Sequence, residues 1–75
     1  MRRRNVSGRE CIKILVKHFC FVIKRRAGSH VVLHKQTPTK KLVTVVPDHK
    51  ELALGTLKSI LRLAKVAEED FFSYT

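Results

Sequence analysis

Apolar residues follow two different periods along this chain. Ile12, Leu15, Val16 and Phe19 stand at i, i+3, i+4 and i+7, one stripe of a helix. Ahead of them, Ser7-Gly8-Arg9-Glu10 reads as a capping box. The Ser7 hydroxyl accepts from the Glu10 amide, and the Glu10 carboxylate reaches back to the Ser7 amide. The spacing predicts a helix from Gly8 to His18, after a basic, frayed lead over residues 1–6. Residues 21–26, 30–35 and 42–46 are short and rich in β-branched side chains, and read as strands. Ala27-Gly28-Ser29 turns the chain between the first two, a polar run over residues 36–41 links the next two, and Pro47 closes the third. Such short connections predict an antiparallel meander. Helical spacing returns at Leu57, Ile60, Leu61 and Ala64, with Gly55-Thr56 opening the helix and Thr56 as its N-cap. Lys58, Arg62 and Lys65 lie at i, i+4 and i+7 as a basic stripe on its outer side. Residues 67–72 predict a short third helix. Its acidic start suits a helix N-terminus, and Phe71 or Phe72 would cover one end of the core.

The order is helix, three strands, helix. Two apolar helix faces need a sheet to pack on, so the expected class is α+β, a three-stranded antiparallel sheet with both helices on one face. The chain is expected to form a single domain over residues 1–75, since this length supports one small core. Period two puts His30, Val32 and His34 on one face of the second strand and Val31, Leu33 and Lys35 on the other. Both faces carry apolar residues, as they do in the third strand with Leu42, Val43, Val45 and Val46, so the pattern does not say which face meets the helices. Two accounts fit: a partner covers the free face or an edge, or the valines are ordinary surface scatter.

Charge alters this picture of a plain small domain. Sixteen Lys and Arg against six Asp and Glu leave a net charge of +10, which points to a polyanionic partner, nucleic acid or an anionic membrane surface. The longest apolar region, residues 12–23, is interrupted by Lys13, Lys17 and His18 and is too short to span a bilayer. No apolar segment or cleavage site follows Arg2-Arg3-Arg4, so a cytoplasmic protein is expected. Cys11 and Cys20 have neither C-x-x-C nor zinc spacing and are expected as free, partly buried thiols. No cofactor motif is legible. Glu68, Glu69 and Asp70 read as a helix start, and His30 and His34, roughly 13 Å apart along a strand, cannot chelate one ion by themselves.

What remains is histidine among basic residues. Cleavage of RNA by its own 2′-hydroxyl needs a group to take that proton and a group to protonate the leaving 5′-oxygen. It also needs cations to stabilise the charge on phosphorus. Histidine suits the proton transfers because its pKa lies near neutrality. Lys24, Arg25, Arg26 and Lys35 flank His30 in sequence. Gly28 lets backbone approach a ligand, and the Ser29 hydroxyl can bond a phosphate oxygen. On the residues alone, His30 is also readable as a structural histidine at the head of a strand.

Three segments resemble the HicA family, also called YcfA-like, of small messenger-RNA-cleaving toxins from type II toxin–antitoxin pairs. They are Ser7-Gly8-Arg9-Glu10 leading into Ile12-Lys13-Ile14-Leu15, then Gly28-Ser29-His30, then Val45-Val46-Pro47-Asp48-His49-Lys50-Glu51-Leu52 continuing into Gly55-Thr56-Leu57-Lys58-Ser59-Ile60-Leu61. The resemblance implies a fold like the double-stranded RNA-binding domain, in the order already read from periodicity. It also implies that His30 is catalytic and that a HicB-like antitoxin covers the active site, while histidine among basic residues suits cleavage without a metal. Gly28, Ser29, Lys24, Arg25, Arg26, Lys35, Lys58, Arg62 and Lys65 are the candidate phosphate and RNA ligands. The second proton-transfer group is open between His34, His49 and Lys35. Many members carry glycine where this chain has Cys20, and Asp-Gly where it has Pro38-Thr39-Lys40-Lys41. The competing account is a non-catalytic RNA-binding module in which the basic surface does all the work. A third is a protein-binding module that docks on an acidic partner.

Overall fold

The computed structural model describes residues 5–75; the predicted frayed lead lies partly outside them. Helix α1 runs Gly8–His18, and strands β1, β2 and β3 run Val22–Ala27, His30–Gln36 and Lys41–Pro47. Helix α2 runs Leu54–Ala64 and a short α3 runs Glu68–Phe72. The strands form one antiparallel sheet in the order β1-β2-β3. The α-β-β-β-α order and the meander are those expected from the pattern of apolar positions.

Burial decides the question that periodicity left open. Val31 and Leu33 of β2, and Leu42, Thr44 and Val46 of β3, are buried. They meet Cys11, Ile14 and Leu15 from α1 and Leu57, Ile60, Leu61 and Ala64 from α2, with Phe71 of α3 also in the core. The helices therefore cover β3 and β2. Every residue of β1 is exposed, including Val22 and Ile23 at 56% each. Strand β1 thus forms the sheet edge outside the helical layer, while β2 stays paired to β3 along its length. Thr44 is the buried polar side chain of the core, and its hydroxyl donates to the Ile60 carbonyl at 3.0 Å, which ties β3 to α2.

The start of α1 follows the capping box, with the Glu10 amide donating to the Ser7 hydroxyl at 3.0 Å. Its buried stripe is rotated from the expected one. Gly8, Cys11, Ile14 and Leu15 point inward, Ile12 and Phe19 are partly covered, and Val16 is exposed. The reason is Gly8, whose contact with the end of β3 sets the rotation of the whole helix. Helix α2 also departs from expectation. It begins at Leu54 with Ala53 as its N-cap and no side-chain cap, so Thr56 lies inside the first turn. Buried Leu52, whose amide donates to the Val6 carbonyl at 2.8 Å, anchors the chain early enough for the Leu57 amide to bond Ala53.

Two residues other than glycine hold left-handed backbone, Cys20 at φ 64° and Lys65 at φ 59°. Lys65 closes α2, with the Val66 amide donating to Leu61 at 3.0 Å as in a Schellman ending. Lys58 and Arg62 therefore lie on the helix and Lys65 in its cap. Cys20 reverses the chain between α1 and β1. A side chain in this conformation costs roughly 1 kcal/mol that glycine avoids. Cys20→Gly is expected to raise the unfolding free energy by about 1 kcal/mol, seen as a higher urea midpoint at unchanged m-value. An unchanged or lower midpoint contradicts this. Both thiols are free; Cys11 is buried and Cys20 exposed. Burial pushes the Cys11 thiol up to about 12, with a smaller contribution from the Glu10 carboxylate.

Candidate functional site

Ala27 and His30 face each other across the β1–β2 turn, leaving Gly28 and Ser29 as its two central residues. Gly28 has φ 63° and takes the first of these positions, as a type II′ connection requires. His30 is then the first residue of β2. It lies between Ala27 on one side and Pro47 of β3 on the other. Its side chain is exposed on the face turned away from the helices. Among the described residues it makes no hydrogen bond or ion pair.

The neighbouring cations are distributed by a bulge. The β1–β2 register shifts between Ile23 and Arg25, which leaves Lys24 as the extra residue. Arg25 comes to stand opposite Val32, and Arg26 opposite Val31. Paired residues share a face, so Arg25 joins His30, Val32 and His34 on the open face, diagonal to His30. Arg26 goes to the helix side. Its guanidinium donates to the Asp48 carboxylate at 3.1 Å. Asp48 in turn donates its amide to the Ser29 carbonyl at 2.6 Å. Asp48 thus fastens the turn end of the hairpin, at Arg26 and at Ser29, to the end of β3. No local signal announces this role, because Asp48 and Arg26 are 22 positions apart.

The same corner receives α1. The Gly8 amide donates to the His49 carbonyl at 2.8 Å. His49 lies two residues beyond Pro47, the cross-strand neighbour of His30, and is exposed. His34 shares the open face with His30 but stands about 13 Å along the strand. Lys35 points to the opposite face, with its ammonium 5.9 Å from the centre of the Phe21 ring. Lys58, Arg62 and Lys65 are exposed on and after α2. The structure therefore brings Gly28, Ser29, His30 and Arg25 together, holds Arg26 alongside through Asp48, and does not bring Lys35 onto that face.

The open face has apolar character as well. Val22, His34 and Val43 form one row across the three strands, and Arg25, Val32 and Val45 the next. Val22, Val43 and Val45 are 56%, 44% and 38% exposed. No helix among the described residues is long and apolar enough to cross a membrane.

The fold and site define a class, a small α+β protein of α-β-β-β-α order that lifts a histidine on a basic hairpin. This chain belongs to a definite family within it. The family model of the HicA toxin of bacterial toxin–antitoxin systems matches residues 8–66, from the first helical residue to just beyond the end of α2. No curated protein matches the chain. Membership makes it a toxin of a toxin–antitoxin pair.

Proposed function

We propose that this toxin is an endoribonuclease that cleaves messenger RNA without a metal ion, with His30 as general acid or base. The observation that carries this is the placement of His30. It is exposed at the head of β2, without a partner among the described residues, in a corner that three separate elements converge to build. A structural histidine is held by its side-chain bonds, and this one is not.

In the proposed reaction the ribose 2′-oxygen attacks the adjacent phosphorus. The 2′-proton passes to a base, the bond to the 5′-oxygen breaks, and that oxygen leaves with a proton. The products are a 2′,3′-cyclic phosphate and a 5′-hydroxyl. His30 performs one of the two proton transfers, and His49 is the histidine that the fold brings to the same corner for the other. Arg25 supplies positive charge on the face of His30. Lys24, Arg26, the Ser29 hydroxyl and the backbone around Gly28 complete the phosphate contacts. Lys58, Arg62 and Lys65 extend the basic surface along α2. A protein acting on messenger RNA works in the cytoplasm. The antitoxin is a HicB-like partner that covers His30 and the exposed valines of the open face, which explains why that face keeps apolar residues.

Incubation of the purified chain with messenger RNA in excess EDTA tests this proposal. Cleavage with cyclic-phosphate ends is expected. Arg25→Ala should lower the rate about tenfold, whereas Lys35→Ala, on the other face, should leave it nearly unchanged. RNA that is bound but intact would instead make the protein a non-catalytic RNA-binding module. No RNA affinity at low salt would make it a protein-docking one.

A further inference from the structure

Three cations on α1 lie outside the hairpin site. Arg9, Lys13 and Lys17 stand at i, i+4 and i+8, all exposed, and all three line a groove along the helix. Successive members are about 6 Å apart along the axis, a step comparable to that between phosphates of an extended strand. The groove contains one carboxylate among its lining residues, that of Glu10. At its far end His18 and Tyr74 stack, with ring centres 3.8 Å apart and planes 14° from parallel. Phe19 meets Tyr74 at 5.7 Å and 89°, which fixes the platform's orientation. Tyr74 nevertheless remains half exposed.

The near end of this groove reaches the hairpin corner. Ser7 and Arg9 line it, and they also line a second depression together with Asp48, His49 and Lys50. Asp48 is the residue bonded to Ser29 and Arg26. The two depressions share Ser7 and Arg9, so concave surface runs from Asp48 and His49, past Arg9, along Lys13 and Lys17, to the rings of His18 and Tyr74.

We infer that this path binds the single-stranded RNA flanking the cleavage point. Its phosphates would lie on Arg9, Lys13 and Lys17, and a base would stack on the His18–Tyr74 platform. The inference rests on the nuclease reading for the position of the scissile bond. The rings argue for a single strand, because a base already stacked within a duplex is not available to an exposed aromatic platform. The spaced cations argue for a backbone track rather than a pocket for a small anion.

Binding is measured by fluorescence anisotropy with a single-stranded RNA of about 12 nucleotides, a length one small domain can cover. The full chain carries His30→Ala so that cleavage does not intrude. Adding Lys13→Ala and Lys17→Ala should weaken binding about tenfold. It should also lower the slope of log affinity against log salt by about 1.4, at ~0.7 per lost phosphate contact. Tyr74→Ala should cost about tenfold, and Tyr74→Phe, which keeps the ring, should restore binding. In chains with His30 intact, the lysine substitutions should raise KM and spare kcat. Unchanged affinity and slope in the lysine variants overturn the inference while leaving the nuclease reading intact. So does equal binding of a duplex with equal sensitivity to Tyr74→Ala. Groove effects in a chain that never cleaves RNA would support the track and remove the nuclease reading.

Discussion

Gly8→Ala is expected to cost this domain most of its stability. A methyl group on Gly8 would lie 1.9 Å from the Pro47 carbonyl oxygen, 2.9 Å from its carbon and 3.0 Å from the Asp48 Cα. All three are backbone atoms, so no side chain can swing aside. Either α1 lifts from the end of β3 or β3 gives way, and in both cases the bond from the Gly8 amide to the His49 carbonyl goes with it. Overpacking against a fixed wall costs roughly 1–3 kcal/mol and sometimes more. A core of this size supplies about 3–5 kcal/mol in total. Helix propensity alone predicts the opposite sign, since alanine is better than glycine in a helix by about 1 kcal/mol. Gly55 provides the control. It lies within α2, is exposed, and has nothing within 4 Å of the point where a methyl group would stand. Gly55→Ala should therefore stabilise by up to about 1 kcal/mol, while Gly8→Ala destabilises severely. Urea unfolding of the two variants reads the contrast directly. If Gly8→Ala shifts the midpoint upward like Gly55→Ala, the close approach of α1 to Pro47 is not real.

His30→Ala is the second large effect, and it falls on activity. The side chain is exposed and has no partner among the described residues, so its loss should change stability by less than about 0.5 kcal/mol. Loss of a positioned proton-transfer group should lower RNA cleavage by about 10²–10⁴-fold. Both measurements are made on the same preparation: urea unfolding for the fold, and initial rates of RNA cleavage in EDTA for the chemistry. A folded His30→Ala protein that cleaves as fast as the parent removes His30 from the mechanism. The two substitutions also separate two ways of losing the toxin. Gly8→Ala disables it by disturbing Pro47 and Asp48, the wall of the site, and His30→Ala by removing the reacting group.

Much of the molecule follows from local chemistry, and local chemistry was legible. The capping box placed the start of α1 because its hydrogen bond spans three residues. Gly28-Ser29 placed the hairpin because a two-residue connection of this kind asks for glycine first. Leu57, Ile60, Leu61 and Ala64 identified the inner side of α2 because helical spacing is a property of consecutive residues. His30 at the head of β2 was likewise readable from the turn before it. Arg9, Lys13 and Lys17 carried a readable spacing too, but nothing in sequence joins them to Tyr74, more than fifty positions away.

What the chain could not settle locally are the features that depend on packing partners. The inward stripe of α1 was rotated by the contact of Gly8 with Pro47, a meeting of residues distant in sequence. The sheet's buried face was chosen by the helices, since both faces of β2 and β3 carry apolar side chains. Strict alternation through β1 would put Lys24 and Arg26 on one face and Arg25 on the other. The bulge at Lys24 shifts register by one residue, sends Arg25 to the face of His30, and turns Arg26 toward Asp48. Sequence by itself determined which elements form and which histidine is lifted on a turn, because those are fixed by neighbours along the chain. Tertiary structure alone decided which cations share its face and which elements wall its corner, because register and close approach are set between segments that meet only when the chain has folded.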